Sequence, residues 1–335
     1  MRLRPSSWLH RVPFRPYVSR TADAVRRQIG RIDNAEVRKA RGLARASRAG
    51  RIDGLYMGDS ATSFVAGHDT DRRPLFEMIA DEISPEVRLT TVHGGSYTPP
   101  LYDAFLRLLD PAHMPRVIIL PLCARVRTTP WVEHPTYGHK NAIEFLRHVD
   151  PAARLRQIRR GFPRPTGEDF ADFYQLPHPT WAGDWTIGDY VNRLKGARQD
   201  DDWVRLLYAY HHGGVVTPGP ALDAVTALGE RLRSLNTAVV VYETPIPVEK
   251  GAEMHGPEFR DLAECNLELL GAALRKGYGP IEVVRTGLEF TTAEFIDWRD
   301  GSEHLNQRGR LHLAERVGAA LRTALDPRVH GGIRG

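Results

Sequence analysis

Residues 52–64 read IDGLYMGDSATSF, and the fold turns on how this stretch is parsed. Its first seven residues set Ile52, Leu55, Tyr56 and Met57 among small residues and stop at Gly58, the length and boundary of a short β-strand and too short for a helix. The tail Asp59-Ser60 then either closes the strand as an ordinary turn or holds one hydroxyl in the open at its end. Ala61, Thr62 and Ser63 leave space around that hydroxyl in the second case.

Four more runs of the same kind follow: VRLTTVH (87–93), RVIILPL (116–122), TAVVVYE (237–243) and IEVVRTG (281–287). All five read as buried on both faces, the signature of a parallel sheet. Between them lie amphipathic stretches of helical period, among them PPLYDAFLRLLD, ALDAVTALGERLRSLN and EFRDLAECNLELLGAALRKG, and LNQRGRLHLAERVGAALRTAL closes the chain. The alternation predicts an α/β domain over residues 52–330, a flavodoxin-like three-layer α/β/α with a parallel five-stranded sheet.

One connection is abnormal. From Cys123 to Asn236 the chain runs far beyond what a simple crossover needs, so residues 124–236 read as an insert or cap. It holds Trp131, Trp181, Trp185 and Trp203, four of the six tryptophans. Such aromatics suit a small core of the insert's own, and for some of them a wall against sugar or acyl surfaces.

Of the 335 residues, 41% are hydrophobic and 26% charged, ordinary for a soluble globular chain. Two cysteines, Cys123 and Cys265, exclude a disulfide framework and a multi-cysteine zinc site. No apolar run approaches the roughly 20 residues of a membrane-spanning helix, and the first twenty residues lack the apolar centre of a secretory signal, so the expected location is cytoplasmic. The net charge of +5 is uneven: residues 1–51 hold 14 Arg and Lys against Asp23, Asp33 and Glu36. This basic arm is expected to be helical, and either packs loosely on the domain as a solvated segment or makes peripheral contact with an anionic membrane surface.

In a parallel sheet, ligands collect beyond the carboxyl ends of the strands, which is where Ser60 falls. The second strand ends in VHGGSYTPP, and Gly94 and Gly95 there allow a backbone N–H to face a developing oxyanion with no side chain in the way. Near the C-terminus, FIDWRDGSEHLNQRGR sets His304 beside the last helix, with Asp300 four residues and Asp297 seven residues before it. A serine nucleophile needs an imidazole to take its proton and a carboxylate to fix the imidazole's tautomer.

YMGDS at the first strand, HGGSY at the second and DGSEHLNQRGR before the last helix, in this order, resemble the SGNH or GDSL hydrolases, a family of esterases, lipases, carbohydrate deacetylases and some O-acyltransferases. The resemblance spans residues 52–325 apart from the insert. It implies Ser60 as nucleophile, His304 as general base, and the N–H groups of Ser60 and of Gly94 or Gly95 as oxyanion donors. Two positions depart from the family's pattern. Where the family places an oxyanion Asn after the third strand, this chain has Cys123, with Arg125 or Arg127 as a replacement positive pole. Where it places Asp three residues before the His, this chain has Gly301, which leaves Asp300 or Asp297 as the supporting acid and Glu303 a distant third.

Glu133, His134 and His139, and the pair His211 and His212, follow no metal-ligand spacing and read as loop residues. No glycine-rich phosphate loop follows any strand, so no cofactor, metal or nucleic acid is called for. The expected activity is serine-dependent acyl ester hydrolysis of a small-molecule ester such as an acylated sugar or lipid. The alternatives are O-acyl transfer at the same site, or a non-catalytic relative that binds through its basic arm and aromatic insert.

Overall fold

The computed structural model describes residues 35–83, 87–95, 97–124, 218–296, 298–301 and 303–326, together with positions 139, 142, 143, 146, 204, 205, 208, 211, 212 and 216. Five strands appear where the apolar runs predicted them: β1 Gly54–Gly58, β2 Leu89–His93, β3 Val117–Leu122, β4 Ala238–Glu243 and β5 Val283–Val284. They form one sheet of order β2-β1-β3-β4-β5, with every pairing parallel. This is the flavodoxin-like order, whose switch point lies between β1 and β3 and whose ligands collect at the carboxyl edge.

The pleat sorts the strand residues into two layers. Leu55, Met57, Ile118, Leu120, Leu122 and Val241 face one way, into a core shared with α1 (Ala35–Arg48), α4 (Pro99–Leu106), α5 (Pro220–Ser234) and α7 (Glu258–Tyr278). Tyr56, Val117, Ile119, Val240 and Tyr242 face the other way, against α3 (Leu75–Glu82) and α8 (Gln307–Leu325). Two short helices complete the described set: α2 (Ser60–Ser63), directly after β1, and α6 (Val248–His255), after β4.

Two expectations change in detail. Burial on both faces holds for β1 and β3, whereas β2 is mostly half-buried because it forms an edge of the sheet and has only one neighbour. The part of the basic arm that is described packs on the domain: Val37, Ala40, Leu43 and Ala44 of α1 are buried and join the same core cluster as Leu55. Residues 1–34 of the arm lie outside the described residues.

The end of the long connection is an ordinary crossover. α5 starts at Pro220 and leads directly into β4, so the unusual part lies before it. Within that part, the described residues Ala142, Ile143, Leu146, Val204 and Tyr208 are buried in the main core. Trp131, Trp181, Trp185 and Trp203 lie outside the described residues. Among the described residues, no helix is long and apolar enough to cross a membrane.

Candidate active site

β1 delivers Ser60 to the carboxyl edge through a turn that is held at each step. Asp59 is buried and caps α2: its Oδ1 accepts from the Ala61 N–H at 2.9 Å. Its own carbonyl accepts from Thr62 Oγ1 at 3.0 Å and Ser63 Oγ at 2.9 Å. The Asp-Ser-Ala-Thr-Ser run is therefore a capped single turn, in which short polar side chains satisfy the exposed backbone groups of a helix start. Ser60 is its first residue and is half-buried.

Gly58 is required for closeness. A Cβ there would lie 2.3 Å from Thr62 Oγ1 and 2.8 Å from Tyr56 Cε1. Its backbone is not in the left-handed region, so a side chain is excluded by space and not by a positive φ.

His304 meets this turn. Its ring stacks on Phe64, with centroids 4.9 Å and planes 15° apart, and the Phe64 N–H donates to the Ser60 carbonyl at 3.0 Å. The imidazole thus lies against the turn that Ser60 begins. The His304 carbonyl accepts from the Ile296 N–H at 2.9 Å, and Leu305 pairs with Phe295 in an antiparallel bridge. His304 therefore sits in extended chain three residues before α8, because Asn306 is the helix cap: its Oδ1 accepts from the Gly309 N–H, and its Nδ2 donates to the Ala293 and Phe295 carbonyls.

Successive side chains of an extended segment point in opposite directions. With His304 half-exposed at the edge, Glu303 is driven fully inside. There its carboxylate accepts from the Cys123 thiol at 3.2 Å. The residue standing at the expected oxyanion-Asn position thus faces a buried carboxylate, tying the end of β3 to the histidine loop. Of the three candidate acids, Glu303 is the one whose side chain is among the described residues, and it is buried. Its position beside His304 in an extended stretch is the signal that marks it. Asp297 and the side chain of Asp300, like Arg125 and Arg127, lie outside the described residues.

The glycine pair divides its roles. The Gly94 N–H donates to the Gly58 carbonyl at 3.4 Å, continuing the β1–β2 ladder by one rung. Gly94 also packs on Tyr97, whose Cε1 would be 2.6 Å from an added Cβ. Gly95 is the next residue, and its N–H meets no acceptor among the described residues. His93, at the end of β2, is held below the usual histidine range, first by burial and then by the charge of Lys39.

Histidines of the long connection reach the same edge, and His211 and His212, read from the sequence as loop residues, are helical. His139 Nε2 donates to the Gly95 carbonyl at 3.0 Å. The buried His212 donates from Nε2 to the Gly301 carbonyl at 2.9 Å, and Tyr208 Oη to the Trp298 carbonyl at 2.7 Å. These contacts grip the turns before Ser96 and before His304. Nothing in the local sequence announced them, since each partner is a backbone carbonyl far away in the chain. Glu133 and His134 lie outside the described residues.

No protein-family model matches the chain, and no curated protein matches its sequence. Among solved structures, the chain is similar to a GDSL-like lipase from Parabacteroides merdae, at 12% identity and a TM-score of 0.39, over 82% of this chain and 97% of that one. It is also similar to an acetyl xylan esterase variant from Geobacillus stearothermophilus, at 12% identity and a TM-score of 0.37, over 82% and 94%. At this distance the likeness carries no residue roles. The strand order and the side-chain contacts above stand on their own.

Proposed function

We propose that the chain is a serine-dependent acyl ester hydrolase of the SGNH/GDSL type. The observation that carries this reading is the His304 ring lying against the one-turn helix that Ser60 opens, at the carboxyl edge of a parallel sheet. Ser60 Oγ attacks the ester carbonyl carbon while its proton passes to the His304 imidazole. The carbonyl π electrons move to oxygen, and the oxyanion accepts hydrogen bonds from the backbone N–H groups of Ser60 and Gly95. The tetrahedral species collapses, the alcohol leaves with the proton from His304, and an acyl-enzyme remains. Water, deprotonated by His304, then releases the acid and regenerates Ser60.

Gly94 is assigned to the turn and not to the oxyanion, because its N–H is engaged by Gly58. Cys123 is assigned to the Glu303 contact, and Asp300 or Asp297 remains the proposed carboxylate behind the imidazole. The substrate class is a small ester with an uncharged carbonyl at the reacting centre.

A fluorophosphonate probe tests this directly, because it phosphonylates only a serine activated by a base. The expected result is a single labelled peptide containing Ser60 in the wild type and none in Ser60→Ala. Equal labelling of the two proteins would remove the assignment.

A further inference from the structure

Lys39 lies on α1, outside the five-stranded sheet, yet its ammonium reaches the carboxyl end of β2. It donates to the His93 carbonyl oxygen and to Tyr97 Oη at 3.1 Å, and lies 5.3 Å from the centre of the Tyr97 ring. These two acceptors belong to the residues on either side of the Gly94–Gly95 pair in the chain, His93 and Tyr97. We propose that Lys39 is a positioning residue for the oxyanion-binding N–H of Gly95, an inference that rests on the ester hydrolase reading above.

A trans peptide is rigid, with its C=O and N–H pointing in opposite directions. In the His93–Gly94 peptide the C=O is held by Lys39 and the N–H by the Gly58 carbonyl, so this plane is fixed from both sides. In the Gly95–Ser96 peptide the C=O is held by His139. The Gly94–Gly95 peptide, which carries the Gly95 N–H, is suspended between these two fixed planes.

Such support is needed because glycine populates both signs of φ almost equally, so the link between two glycines turns over at little cost unless its neighbours are held. A donor that points the wrong way for part of the time stabilises the transition state only for the remainder. Hydrogen bonds to a charged group are also stronger than neutral ones, which suits an ammonium to the task. Tyr97 serves twice, as the second acceptor for Lys39 and as the surface on which Gly94 lies.

The experiment compares wild type, Lys39→Met, Lys39→Gln and Lys39→Arg, with p-nitrophenyl acetate turnover and hydrogen–deuterium exchange of the peptide spanning residues 93–97 as readouts. Removing an oxyanion donor outright costs about 100- to 1,000-fold in kcat, so loosening one in Lys39→Met is expected to cost about 10- to 100-fold, with KM within about twofold. Exchange in 93–97 is expected to rise in Lys39→Met and Lys39→Gln, and Lys39→Arg to recover most of both properties. Lys39→Gln keeps an uncharged donor and guards against misfolding of the methionine variant.

A kcat within threefold of wild type in Lys39→Met, or unchanged exchange in 93–97 in both neutral variants, would overturn the proposal. The fluorophosphonate result separates the two claims: labelling of Ser60 with a silent Lys39→Met removes only the role of Lys39. If Ser60 is not labelled, the hydrolase reading falls and the catalytic role of Lys39 with it.

Discussion

The His304 ring lies nearly parallel to the Phe64 ring, with their centroids 4.9 Å apart. Phe64 is 48% exposed, and one face of its ring covers the imidazole beside the Ser60 turn. Stacked rings contribute about 0.5–1.5 kcal/mol beyond the area they bury. For Phe64→Ala, kcat is expected to fall about tenfold, while Phe64→Tyr stays near wild type. Steady-state kinetics of the two variants check this, and a fully active alanine variant would show that the stack does not orient the base.

For His304→Ala, kcat/KM on a p-nitrophenyl ester is expected to drop by about 100- to 10,000-fold, the range of a general-base contribution. Phosphonylation of Ser60 is expected to slow in parallel, because the proposed mechanism uses the same imidazole to activate the serine in both reactions. Matched rate measurements on the two reactions check it. A drop in turnover with unchanged labelling would assign His304 to substrate binding instead.

Gly58 is predicted to tolerate no side chain. A Cβ placed 2.3 Å from Thr62 Oγ1 and 2.8 Å from Tyr56 Cε1 forces the α2 turn or the strand to move. Gly58→Ala is expected to cost about 1–3 kcal/mol, as overpacking does. Adding Thr62→Ala removes the nearest atom, so the double variant is expected to be more stable than the sum of the two single effects implies. Urea denaturation of the four proteins of the cycle measures that coupling.

Arg310 is fully buried at the start of α8. Its guanidinium donates to Asp69 Oδ2 at 2.7 Å and to the carbonyls of Arg73, Asp71 and Leu305. The Gln307 side chain adds contacts to Thr70 Oγ1 and the Asp71 N–H. This latch joins the loop after the Ser60 turn to the helix after His304. Arg310→Met leaves a buried carboxylate unpaired and is expected to cost about 3–5 kcal/mol, with Asp69→Asn/Arg310→Met costing less than the single change. Chemical denaturation of both variants checks this.

The same pair has a pH signature. Burial opposes the charge of Asp69, but hydrogen bonds from Arg310 and the Gln307 N–H outweigh it and hold its carboxyl below the usual range. A depressed carboxyl contributes stability that is present above its unfolded value of about 3.9 and is lost as pH falls through the folded value. Unfolding free energy measured from pH 6 down to pH 2 is expected to fall less steeply in Asp69→Asn than in wild type. Identical slopes would mean that Asp69 is not held down.

Much of this was legible in the residues themselves. Five short apolar runs, each bounded by turn formers, marked the five strands, because a strand buried on its faces must be apolar along its length. Gly58, Asp59 and Ser60 marked a turn at the end of the first strand, because these residue types form turns through local backbone freedom and side-chain oxygens. Both are interactions between neighbours in the chain, and neighbours are what a sequence displays.

What only the tertiary structure decided involves partners far apart. The β2-β1-β3-β4-β5 order determines that Gly94 spends its N–H on Gly58, and with it that Gly95 is the candidate donor. The burial of Glu303 against Cys123, 180 residues away, follows from the direction in which the packed loop turns alternate side chains. The reach of Lys39, His139, Tyr208 and His212 to four backbone carbonyls is likewise invisible along the chain. A carbonyl carries no residue identity, and only packing reveals which donor it will meet.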